Sequence, residues 1–102
     1  MALDFTTIKD EPGTAIFLLS DGTVQDLKSM EDLAVRIRKG TRKQVIILPV
    51  NETTGRSILE FYHLKGNHFV LLVRDDDQLH HVWSDGDMFD PTQIAYLAEQ
   101  AG

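Results

Sequence analysis

The chain contains no cysteine in its 102 residues. Disulfide exchange proceeds by attack of a thiolate on a disulfide sulfur, so the chain cannot run that reaction on its own side chains. It also has no apolar run approaching the roughly 20 residues that cross a bilayer. Its start, Met1-Ala2-Leu3-Asp4-Phe5, has no basic region followed by an apolar core. Low-complexity tracts and internal repeats are missing too. These absences point to a cytoplasmic, single-domain protein occupying residues 1–102, with residues 1–13 as a tail or an extra N-terminal strand. A hydrophobic content of 42% and a charged content of 25% suit a domain that buries a core without staples. The Asn51-Glu52-Thr53 triplet has the form of a glycosylation acceptor but reads as chance in that compartment.

Positive charge is missing from the last part of the chain. After Arg74 there is no Lys or Arg, while Asp75, Asp76, Asp77, Asp85, Asp87, Asp90 and Glu99 give −7; the first 74 residues carry 10 basic and 9 acidic side chains, giving +1. Such a field repels nucleic acid and anionic membrane and favours a basic partner or a cation. A solubilising acidic surface is the simpler reading.

What is present is a regular alternation of elements. Thr14 to Leu19 is a continuous apolar run closed by Ser20-Asp21-Gly22, as expected of a strand covered on both faces. Met30, Leu33, Ala34 and Ile37 recur at helical spacing; Ser29 with Asp32 resembles a capping pair and Gly40 a stop, which predicts a helix over about 30–39. Gln44 to Val50 reads as a second buried strand with Pro49 at its end. A helix beginning near Thr54 carries Ile58, Phe61, Tyr62 and Lys65 on one side and ends at Gly66. Phe69 to Val73 is a third strand, and the Asp75-Asp76-Asp77 turn leads back into Gln78 to Trp83 as an antiparallel hairpin. Asp90-Pro91-Thr92-Gln93 starts a last helix, with a capping aspartate and proline in the first helical position; Ile94, Leu97 and Ala98 form its inner side. The predicted fold is α/β, β-α-β-α-β-β-α, with a mixed central sheet flanked by helices.

From Val45 to Ala101 the residues resemble thioredoxins. VIILPVNETT is similar to their strand and following acidic turn, ILEFYHLKG to the helix before the third strand, FVLLVRDDDQLHHVWSD to their hairpin, and PTQIAYLAEQ to their last helix. The resemblance implies a thioredoxin-like fold. The flanked cysteine pair of that family falls here on Asp21-Gly22-Thr23-Val24-Gln25-Asp26, and its cis-proline falls at about His68. A non-proline cis bond would cost about 2.5 to 4 kcal/mol, so a trans bond is expected there. The N-terminal half of glutathione transferases has the same element order, with IAYLAEQ similar to its third helix. Of the residues that hold the glutathione backbone in that family, only Asp90 has a counterpart, and the missing proline argues against glutathione.

Other constellations favour bland readings. His63, His68, His80 and His81 with Asp85 and Asp87 suggest a metal, but successive strand residues face opposite ways, so His80 and His81 cannot share an ion without a bulge. Asp85-Gly86-Asp87 and Asp75-Asp76-Asp77 lack the alternating ligands and the glutamate of a calcium loop. Arg36, Arg38, Lys39, Arg42 and Lys43 suit the end of a helix, with no interleaved aromatic platform for nucleic acid. Ser84-Asp85 beside His81 places serine and base on opposite faces. Trp83 reads as core packing. No catalytic residue, metal ligand or cofactor is assigned.

The resemblance implies a non-catalytic domain that binds another protein through Asp21, Gly22, Thr23, Val24, Gln25, Asp26 and His68, because that is where the family presents substrate backbone. The competing expectation is a small-molecule or divalent-cation-binding domain using the acidic end, with His80, His81, Asp85 and Asp87 as contacts. No nucleic acid or membrane is expected, and the oligomeric state is not legible.

Overall fold

The two least interrupted apolar runs form the middle of the sheet. In the computed structural model, which describes residues 3–84 and 89–101, they are β1 (Ala15–Ser20) and β3 (Phe69–Val73), and every residue of both strands is buried. They are flanked by β2 (Gln44–Pro49) and β4 (Leu79–Ser84) in the order β2-β1-β3-β4. β1 runs parallel to β2 and antiparallel to β3, and β3 pairs antiparallel with β4. With helices α1 (Val24–Arg38), α2 (Thr53–Phe61) and α3 (Pro91–Ala101), the fold is α/β in the expected order β-α-β-α-β-β-α.

The twofold alternation of strand side chains divides the core in two. Ile16, Leu18, Val70, Leu72 and Trp83 meet Met30, Ala34 and Ile37 of α1 and Ile94, Ala95 and Ala98 of α3 on one face. Phe17, Leu19, Phe69, Leu71 and Val73 meet Ile58 of α2 and Phe5 on the other. At about 1.5–3 kcal/mol for each large apolar side chain removed from water, these two layers supply the main driving force of the fold.

Several expectations are corrected. β2 is an edge strand and only Val45 in it is fully buried. α1 begins six residues before Met30: Thr23 is its cap, and Ser29 lies inside it, donating from Oγ to the Gln25 carbonyl. α2 stops at Phe61, well before Gly66. His63 adopts φ +56°, its N–H reaches the Glu60 carbonyl and the Leu64 N–H reaches Leu59. This Schellman turn satisfies the last carbonyls and takes Lys65 out of the helix. Among the described residues 3–13 there is no strand: Phe5–Thr7 is a 3-10 turn whose Phe5 is buried against Phe17, edge-on to Phe61.

β4 carries a further departure. Leu72 pairs with His81 but Val73 pairs with Leu79, so His80 is an extra residue that bulges out of the ladder. The bulge reverses the facing of what precedes it. Leu79 joins the Phe5 side, whereas Trp83 is buried on the α1 side with the His81 ring 4.3 Å away, so Leu79 and Trp83 do not share a face as plain alternation would have it. Asp90 caps α3 as the sequence indicates, its Oδ1 accepting from the Thr92 N–H at 3.0 Å.

Candidate functional site

The register of β1 on β3 builds the site. Leu19 lies opposite Phe69, so the residues just past the end of β1 and just before the start of β3 meet at one end of the sheet. Asp21 and His68 are brought together there, although 47 positions apart in sequence, with their nearest charged atoms at 4.0 Å. Between β1 and α1 the chain turns through Gly22 at φ +90°, where a Cβ would fall 2.5 Å from the Asn51 amide; only glycine fits.

The first turn of α1 is fixed by side-chain hydrogen bonds. Thr23 Oγ1 accepts from the Asp26 N–H at 3.2 Å, the bond that defines an N-cap. Asp21 Oδ1 accepts from the Thr23 N–H at 2.9 Å and from its hydroxyl at 2.8 Å. Those two donors, with a smaller electrostatic contribution from His68, hold the Asp21 carboxyl below the usual carboxylate range.

Asp26 is the centre of the arrangement. Its Oδ2 accepts from the buried Ser20 hydroxyl at 2.6 Å and from the Asp21 N–H at 3.0 Å, while its Oδ1 lies 2.5 Å from His68 Nε2. The Ser20 oxygen in turn accepts from the Gly22 N–H at 3.0 Å. Asp26 is 15% exposed, His68 27% and Asp21 30%, so the group is shielded but reachable from solvent. A cleft of about 240 Å³ opens beside it, lined by Asp26, Ser29, Met30, Leu33, His68 and Phe89.

Of the seven residues expected at this face, the structure gathers Asp21, Asp26 and His68. Gly22 and Thr23 shape the turn and cap. Val24 and Gln25 point outward from a helix rather than a loop, and Val24 is 74% exposed. The bond preceding His68 is trans, as expected. Sequence reading missed the part played by Ser20, whose buried hydroxyl has no local pattern to mark it. It also passed over Thr23-x-x-Asp26, a capping spacing that fixes both the helix start and the place of Asp26.

The acidic end behaves differently. Asp85 and Asp87 lie outside the described residues. The bulge that two neighbouring histidines would need exists at His80, yet both rings are exposed, and among the described residues no third ligand stands with them. His63 is the exposed left-handed residue of the turn after α2. In the basic cluster, Arg38 donates to the Val45 carbonyl at 2.9 Å, and Arg36 forms an exposed pair with Asp32 one turn away, the structural roles expected of them.

No protein-family model matches the sequence, and no curated protein is significantly similar to it.

Proposed function

We propose that the chain is a non-catalytic thioredoxin-like domain that recognises another polypeptide at the end of the sheet where β1, α1 and β3 meet. The observation that carries this reading is the convergence of the 21–26 segment with His68 around an outward-facing Val24, 74% exposed on the first turn of α1. Open α/β sheets bind their ligands outside the carboxyl ends of the parallel strands, and β1 and β2 both direct theirs here. A valine standing in water at such a place loses apolar area on contact, and the exposed Lys65-Gly66-Asn67 stretch leading to β3 offers main chain to an extended peptide. With no cysteine, the partner is held without a disulfide.

Val24→Asp tests the reading more cleanly than a change at Thr23, because Thr23 caps α1 and its loss would cost about 1 kcal/mol of stability by itself. The V24D chain should lose at least about tenfold in crosslinked capture of a polypeptide that the parent retains. A Val82→Asp control, on exposed β4, should capture it normally. Equal capture by V24D and parent would remove this face from the function.

A further inference from the structure

We propose that Asp21, Asp26 and His68 form a binding site for a divalent transition ion of the zinc class. Their ligand atoms all lie within 4.8 Å of one another. The donor set is one imidazole and two carboxylates, which suits zinc and its neighbours; calcium takes six to eight oxygens, and magnesium an octahedron of oxygens. A tetrahedral ion about 2.0 Å from each donor asks for donors roughly 3.3 Å apart. The 2.5 Å between His68 and Asp26 and the 4.0 Å between His68 and Asp21 bracket that separation.

The hydrogen bonds around the triad divide the labour between its oxygens. Asp21 Oδ1 is held by two donors from Thr23, and Asp26 Oδ2 by Ser20 Oγ and the Asp21 N–H. The other oxygen of each carboxylate, Asp21 Oδ2 and Asp26 Oδ1, is the one turned toward His68 Nε2. Each carboxylate is thus oriented from behind, as by the supporting shell of a metal site. Three protein ligands leave a fourth position for water or for a group on a partner, the layout of an open site. The positive end of α1 opposes a cation here, but its roughly half charge is outweighed by two carboxylates. The proposal does not rest on partner recognition, since the metal alone is the probe.

The purified chain, stripped with chelator, should bind zinc chloride one to one in calorimetry and unfold at a higher temperature in its presence. Calcium and magnesium chloride should give neither effect. His68→Gln should weaken zinc binding by at least about tenfold, as should Asp21→Asn, in which the amide oxygen can still accept from Thr23 and keep the turn folded. Replacing His80 and His81 together by alanine should change nothing. The assignment is overturned if zinc does not bind one to one, if H68Q and D21N bind it as the parent does, or if loss of the His80–His81 pair abolishes binding. An equal response to calcium would also overturn it, by reducing the site to unspecific acidic charge.

Discussion

Two polar networks sit at opposite ends of one sheet, and they differ in what they leave over. At the end away from the candidate site, Lys9 Nζ donates to the Gly13 carbonyl at 2.8 Å, the Arg74 carbonyl at 3.0 Å and Asp77 Oδ1 at 2.9 Å. An ammonium has three protons, and all three are used. The Tyr62 hydroxyl donates to the Asp77 carbonyl at 2.7 Å, and burial together with the charges of Asp77 and Asp76 raises its pKa so far that it stays protonated. At the other end, Asp21 and Asp26 are also supported from behind, but they and His68 each bring one ligand atom toward a common point. A network whose donors are all consumed holds segments together; one that brings an imidazole and two carboxylates to a common point has ligand atoms to offer a cation that displaces the shared proton. The larger cleft of about 650 Å³ lies at the consumed end, walled by Lys9, Asp10, Asp75 and Asp77.

The sharpest way to break this contrast is Lys9→Met, which keeps an unbranched apolar stem and deletes the three donors, together with the ammonium 5.7 Å from the centre of the Phe5 ring. The Lys9 side chain is only 5% exposed, whereas Asp77 is 40% exposed, so part of the ion pair is already screened. A loss of about 2 kcal/mol in urea unfolding is expected, with zinc affinity unchanged. A loss below about 0.5 kcal/mol would mean that the N-terminal segment is held by Phe5 alone. A fall in zinc affinity would mean that the two ends are not independent.

At the converging end, Ser20→Ala removes one of the two donors to Asp26 Oδ2 and the acceptor of the Gly22 N–H. Its stability cost should be smaller, about 1–1.5 kcal/mol, because water can reach the Gly22 turn. Its effect on zinc should be larger than that of any change at Lys9, a weakening of about 10- to 100-fold. Calorimetry on both variants measures the crossover, and equal zinc affinities would dissolve the distinction between the ends.

How far the sequence discloses these two ends follows from the range of the interactions. Phe69–Val73 is an unbroken apolar run between polar stretches, and the structure places the strand over those same residues. Asp90-Pro91-Thr92-Gln93 marks the start of α3 because a cap and its partners lie within one turn. The start of α1 was displaced for the opposite reason. Val24, Gln25 and Lys28 are exposed, and half-buried Leu27 alone carries the apolar period one turn ahead of Met30, a signal too weak to mark the start, so the six-residue shift hid the fact that Asp26 belongs to a helix. The pairing of Asp26 with His68 spans 42 positions and exists only through the Leu19–Phe69 register. Asp21, Asp26 and His68 could be placed on one face from the resemblance to thioredoxins, but their convergence on one point could not. Lys9 was invisible altogether, since its three acceptors come from a turn and a hairpin that no local pattern joins.

The smallest effect concerns how the N-terminal segment enters the consumed end. Asp4 caps the 3-10 turn, with Oδ1 accepting from the Thr6 N–H at 3.0 Å and from the Thr6 hydroxyl. The hydroxyl and then the N–H hold its carboxyl below the ordinary value. A carboxyl depressed in the folded state adds stability that is complete above its unfolded value, near 3.9, and is lost as pH falls through the folded value. The acid limb of the stability curve should therefore be shallower in Asp4→Asn than in the parent below about pH 4, with little change near neutrality because the site is fully in water. Urea midpoints taken between pH 2.5 and 5 measure that slope. Identical limbs would show that the Asp4 cap forms equally in the unfolded chain, leaving Phe5 and Lys9 to hold the segment without it.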